Sequence, residues 1–436
     1  MTYKIENISP WEYLLYPVMI ALFFVLYTYP VFEGDFFWHL NTGEWIWNHK
    51  SLPHADPFTF TAGPETATQS AHRIKMTLTQ YWFSQLIFYG LWNAAGFKGI
   101  ILARAICYSA ILAIIGVWSR KTAKGIVPFL FLFVLGAQLL RYSNERPQLF
   151  AFLLTPVFLY ILETMREDWN RAKSTCWLLP LLMLLWANIH GSFILGAGII
   201  ILFAAGHLYN SRKDRAPLRK GYLFCLLASV AVTVVNPNGL WPLVEVFGLK
   251  TSAIHEYQSP LMSLLHVHTF DPYWLLLVPT LALLLVRFRK MHVEHILLLA
   301  SLALLSLSGG RYIPFFMFAL PFVLIYLPAI SLPRRYEWLC AVLVLAFFTQ
   351  FNFKSIFKFR ESSDFPRQAV NFIHHIKPEG RIFNDSNWGG YVSRFAPEHR
   401  IFLDNRILVE DVQKLYIAAM NGTGWKELFD RYNISI

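Results

Sequence analysis

Gly34-Asp35-Phe36-Phe37-Trp38-His39-Leu40-Asn41-Thr42-Gly43-Glu44-Trp45 follows directly on an apolar run at residues 12–31. An acid in that position stands at a membrane surface. The aromatic-rich stretch behind it suits a helix lying flat on the bilayer, because amphipathic rings settle at headgroup level. The placement points to chemistry on a lipid-borne substrate at the bilayer edge.

The rest of the 436 residues supports a membrane setting, with 56% hydrophobic and only 15% charged, too apolar for an ordinary soluble protein. The net charge of +11 does not signal nucleic acid, since the Lys and Arg residues gather in short linkers between apolar runs. Cys107, Cys176, Cys225 and Cys340 all fall inside apolar runs without metal-ligand spacing, which argues against disulfides and zinc. Residues 12–31 read as an uncleaved first span: Lys4 is the only basic residue ahead of them, and no small-residue cleavage site follows.

A helix needs roughly 20 residues to cross hydrocarbon. Runs near that length occur at about 12–31, 99–118, 126–140, 147–164, 175–191, 192–209, 221–236, 272–287, 293–309, 311–330 and 336–351. The expected fold is therefore an all-α polytopic membrane protein of about eleven spans. Residues 78–96 are also uncharged, but counting them as a span would reverse every later basic linker. As an interfacial helix they let the charges agree: the linkers at 120–124, 166–173, 212–220, 287–290 and 334–335 are rich in Lys and Arg, and the longer opposite segments are sparse in them. That bias sets the amino terminus in the cytoplasm and the carboxyl-terminal segment outside a plasma (inner) membrane.

Two loops on the outer side are long, 32–98 and 237–271, the second opening with the turn Asn236-Pro237-Asn238-Gly239. The spans and loops make one domain over 1–351. After it, Arg381-Ile382-Phe383, Tyr391-Val392 and Arg400-Ile401-Phe402-Leu403 read as short strands, predicting a small extracytoplasmic α/β domain over 352–436. The last residues, Asn433 to Ile436, read as the start of another strand, as in a fragment of a longer protein. No internal repeat is visible.

An acid just after the first span, an outer loop of interfacial helices, the Tyr81-Trp82-Phe83 helix ending at Gly96, and a span with an early Arg104 together resemble the GT-C class of integral-membrane glycosyltransferases. The detailed likeness covers roughly residues 10–125 and is greatest to the branch of protein mannosyltransferases and the aminoarabinose transferase of lipid A. That branch usually follows its first acid with a second, where this chain has Phe36. Asp35 to Leu40, Trp186 to Gly191 and Trp388 to Tyr391 also resemble segments of uncharacterised bacterial membrane proteins.

The GT-C resemblance implies transfer of a sugar from a polyprenyl-phosphate carrier, a membrane lipid, to an acceptor on the outer face. Asp35 has the position of the general base that strips the acceptor proton; the plainer reading is a helix-capping acid. His39, one helical turn on, is a second proton carrier or an interfacial polar residue. Glu145, in the turn Arg141 to Pro147, lies where many GT-C enzymes place another acid. It either joins Asp35 in holding a divalent cation such as Mg or Mn through oxygen ligands, or pairs with its arginine neighbours.

Lipid phosphate calls for permanent cations, and the planar fork of arginine suits it. Arg104, Arg141, Arg146 and Arg311 are the candidates, with snorkelling anchors the alternative. His190, His255 and Glu256 are candidates to line the same cavity, His190 also reading as a helix-end residue. Asn384 to Tyr391 and Asp404-Asn405-Arg406 suit sugar stacking, and turn chemistry accounts for them equally. Rival functions are a transporter or lipid flippase, which calls for repeated halves and ionisable residues deep in spans, and a non-catalytic envelope-assembly scaffold.

Overall fold

The computed structural model describes residues 10–62, 71–122, 126–245, 259–266, 271–327, 334–351, 356–406 and 408–435. His255 and Glu256 lie outside them. The first half of the chain forms α1 (Pro10–Leu26), α2 (Asp35–His49), α3 (Ala71–Thr79), α4 (Trp82–Thr122), α5 (Val127–Leu139), α6 (Gln148–Glu167), α7 (Trp169–Ala172), α8 (Leu178–Ile189), α9 (Phe193–Lys213) and α10 (Lys220–Ala231). There follow α11 (Trp241–Glu245), α12 (Pro260–His266), α13 (Trp274–Arg287), α14 (Val293–Ser308), α15 (Ile313–Phe318), α16 (Pro321–Leu324) and α17 (Arg334–Phe348). The final stretch carries α18 (Arg367–Ile376), α19 (Gly389–Phe395), α20 (Glu410–Met420) and α21 (Trp425–Tyr432).

Among the described residues three helical stretches, Ile74–Thr122, Gln148–Glu167 and Phe193–Lys213, are long and apolar enough to cross a membrane, and several shorter helices are also apolar. Within α4 the backbone breaks at Ala95 and Gly96; Gly96 takes φ 54°, a left-handed conformation that glycine adopts without steric cost. The aromatic first part of α4 thus turns away from the apolar part that follows. The apolar run at 311–330 is two short helices rather than one, because Pro321 has no N–H to continue α15 and starts α16 instead.

The main core joins α1, α4, α5, α6, α8 to α10 and α13 to α17 through residues such as Phe23, Tyr108, Phe152, Trp186 and Phe316. A second core brings Val31, Phe36, Phe37 and Leu40 together with Phe88, Ile101, Phe365, Val370 and Tyr391. Phe37 is fully buried there, with its ring 5.0 Å from both Phe365 and Tyr391 and 5.8 Å from Phe395, each nearly edge-on. Burying one such side chain contributes about 1.5–3 kcal/mol.

The expected strands are not seen among the described residues. Tyr391 and Val392 lie in helix α19, and the extended pieces make only isolated parallel bridges, Val31 to Glu361, Thr59 to Ile401 and Arg381 to Ile434. The reason is their partners. Residues 361 and 401 pair with residue 31 at the end of the first apolar run and residue 59 of the first long loop, and Arg381 with Ile434, each over a single bridge, so no ladder propagates.

Candidate functional site around Asp35

Asp35 is the first residue of α2, and Gly34 in front of it is already helical at φ −63°, ψ −34°. Its carboxylate does not cap the helix. One oxygen lies 3.0 Å from Arg146 Nη2, and the other accepts from Asn405 Nδ2 at 3.2 Å. Glu33 Oε1 meets the same Arg146 Nη2 at 3.0 Å, and Asn144 Nδ2 donates to Glu33 Oε2 at 3.4 Å.

Glu33 was not among the candidates from sequence, although an acid separated from Asp35 by one glycine was the available signal. It supplies the second carboxylate that Phe36 does not. Burial holds the Glu33 carboxyl above its ordinary range against the pull of Arg146, and the neighbouring Asp35 adds to the rise.

Arg146 is presented by the turn that connects α5 to α6, and a buried lock holds that turn. Glu145 pairs with Arg104 of α4, both side chains fully buried. Arg104 also donates to the carbonyls of Tyr27, at 2.9 Å, and Tyr29, with its guanidinium 3.6 Å from the Tyr29 ring. Tyr108 donates to the Tyr142 carbonyl at 2.5 Å. A buried pair of this kind stabilises little in total, yet removing one partner costs about 3–5 kcal/mol.

Glu145 and Asp35 share no contact among the described residues; each meets its own arginine, so they are not brought together as the cation pair expected from sequence. No group of three or more His, Cys, Asp or Glu side chains gathers around a common point among the described residues. The two carboxylates that do meet at one point are Glu33 and Asp35, on Arg146, and the amides of Asn144 and Asn405 turn their Nδ2 donors toward them.

His39 is buried, with its ring centroid 3.5 Å from that of Trp38 and 5.1 Å from that of Tyr81, and its Nδ1 lies 3.3 Å from Gln85 Nε2. His190, at the end of α8, lies on the other side of Tyr81 with 5.5 Å between centroids, and its Nδ1 lies 2.8 Å from Ser192 Oγ. Burial pushes the His39 pKa well down, and the charge of Arg146 adds to this. Arg311, in the turn ahead of α15, has its guanidinium 5.8 Å from the Tyr312 ring, and Tyr81 joins the two histidines in one polar region. Arg141 does not join it: it is largely exposed and pairs with Asp271 at 2.9 Å.

The carboxyl-terminal segment closes the site through a clamp. Arg406 is almost fully buried and bonds Asp56 through Nη1 and Nη2, at 2.7 and 3.2 Å, while Nη2 and Nε hold Asp404 at 2.6 and 2.8 Å. Asp56 in turn accepts from the Thr59 backbone N–H at 2.8 Å. Asn405, between the two clamped residues, reaches Asp35 and also lies 3.1 Å from Asn387 Oδ1. Gly389 and Gly390 let α19 touch neighbouring backbone: a Cβ on Gly390 would lie 2.8 Å from Trp38 N, and one on Gly389 would lie 2.5 Å from Leu403 O.

No protein-family model matches the chain, and no curated protein matches its sequence. Among solved structures it is similar to the crystal structure of the Archaeoglobus fulgidus oligosaccharyltransferase in the apo form, with a TM-score of 0.58 and 10% sequence identity over 91% of this chain. It spans 65% of the length of that protein. At that identity the likeness is one of fold. Over most of its length the chain has the fold of this oligosaccharyltransferase, in agreement with the GT-C resemblance carried by the residues around Asp35.

Proposed function

We propose that the chain is a membrane glycosyltransferase that moves a sugar from a polyprenyl-phosphate carrier to an acceptor on the extracytoplasmic face. The reading takes the apolar runs as spans, with the amino terminus in the cytoplasm of an inner (plasma) membrane and the segment after residue 352 outside. The observation that carries it is the convergence on Arg146 of two carboxylates, Asp35 and Glu33, at 3.0 Å each. They stand where the first span gives way to the aromatic helix α2.

In this reading Asp35 takes the acceptor proton, and Arg146 orients it before substrate arrives. Arg146 and Arg311 hold the lipid phosphate, and His190 and the neutral His39 add polar lining. If a divalent cation such as Mg or Mn takes part, Glu33 and Asp35 would hold it and it would neutralise phosphate charge. Arg104 and Glu145 position the turn that bears Arg146.

The test is transfer from a radiolabelled polyprenyl-phosphate sugar by protein in lipid nanodiscs. Asp35→Asn is expected to lower the rate by at least a hundredfold while leaving thermal stability near that of the parent. Wild-type transfer by Asp35→Asn would remove the mechanism.

A further inference from the structure

A groove of about 580 Å³ lies between the second half of α2, residues 57 and 58, Trp92 of α4 and the stretch 393–400. Its volume falls within the range of small-molecule sites, about 300–1,000 Å³. Asp35 is not part of it; at 1.5 Å per residue, the far end of α2 is about 20 Å from that carboxylate.

The chemistry of the walls narrows the ligand. Trp45, Trp92, Phe58 and Phe395 supply aromatic surface, and Asn41, Asn48 and Ser393 supply uncharged donors and acceptors. The charged side chains of the groove are already engaged within the protein. Glu44 pairs with Arg394, and Arg400 donates to the carbonyls of Asp56 at 3.1 Å and Thr59 at 2.6 Å. Trp45 is held by stacking on His49, with centroids 4.2 Å apart and planes 12° from parallel.

A ligand matched to such walls is uncharged, rich in hydroxyls and apolar on one face. A carbohydrate ring has that character: its C–H face lies on an indole while its hydroxyls meet carboxamides. We propose that this groove binds a neutral saccharide. Its service as the acceptor glycan's binding subsite rests on the sugar-transfer reading above; the binding itself does not.

The probes are maltose, cellobiose and N,N′-diacetylchitobiose, titrated by saturation-transfer NMR against the full chain in lipid nanodiscs, free of glycoside detergents that would occupy the groove. Saturable binding of at least one is expected, weakened at least tenfold by Trp45→Ala and several-fold by Asn48→Ala, and unchanged in Asp35→Asn. Asn48 is exposed, so its variant keeps the test intact if Trp45→Ala melts early. Failure of all three sugars to bind, or binding indifferent to both groove substitutions, overturns the proposal. So does binding lost in Asp35→Asn, which would place the sugar at the carboxylate. Transfer activity persisting in Asp35→Asn bears on the mechanism alone.

Discussion

At the residue scale the site is a set of charges whose states are fixed by burial. His39 is held neutral in the folded chain by burial, whereas it takes a proton near 6.5 once unfolded. Below that value the unfolded state binds more protons, so stability is full above pH 6.5 and falls as pH drops through it, with a slope of about 1.4 kcal/mol per pH unit. Melting in nanodiscs at pH 7.5 and 5.0 checks this: His39→Gln should melt with a smaller loss at pH 5.0 than the parent, and an identical loss would contradict it. Asp35 and Arg146 were legible as site candidates from charge next to an apolar boundary. For Glu145 the sequence left open a cation shared with Asp35 or a pair with a neighbouring arginine, because it does not say which of several arginines a buried acid meets; the partner here is Arg104, with no side-chain exposure on either member.

At the scale of elements, backbone-to-backbone approach sets how α2 is aimed. The Trp388-Gly389-Gly390-Tyr391 segment, which composition made a candidate for sugar stacking, packs directly on the start of α2. Its two glycines are where a methyl group would collide with main-chain atoms of Trp38 and Leu403. Main chain cannot rotate aside as a side chain can, so Gly390→Ala should cost about 1–3 kcal/mol by overpacking and reduce transfer, read from the melting curve together with the rate. The Arg406 clamp gives a second case. Arg406→Leu leaves Asp56 and Asp404 buried without their cation, a loss of about 3–5 kcal/mol. Asp404 then moves still further toward its protonated form, having already been pushed up by burial against the pull of Arg406. The double variant Asp56→Asn with Arg406→Leu should recover part of that stability, because one of the two stranded charges is gone; no recovery would mean that the clamp is not electrostatic.

For the whole molecule, the all-helical class was readable because a lipid setting imposes apolar composition locally, and three of the described stretches have the length and composition to cross a membrane. The joining of the carboxyl-terminal segment to α2 was not readable, since Asn405 and Asp35 stand 370 residues apart and no local pattern links them. The same docking bears on the expected strands: Ile401 and Glu361 find their bridges at Thr59 and Val31, not in each other. The segment after residue 351 should therefore be part of the site's architecture. A chain ending at residue 351 would bare Val31, Phe36, Phe37 and Leu40, which otherwise share a core with Phe365, Val370 and Tyr391. It would also remove the amide that holds Asp35. Burial of four such side chains is worth several kcal/mol, so α2 in the shortened chain should open locally and become a substrate for limited proteolysis between residues 31 and 49, while the main core around Phe23, Tyr108 and Phe316 stays resistant. Full-length Asp35→Asn, inactive but with its cores intact, serves as the comparison. Equal protease resistance of α2 in the two proteins would show that the helix is aimed by the membrane domain alone.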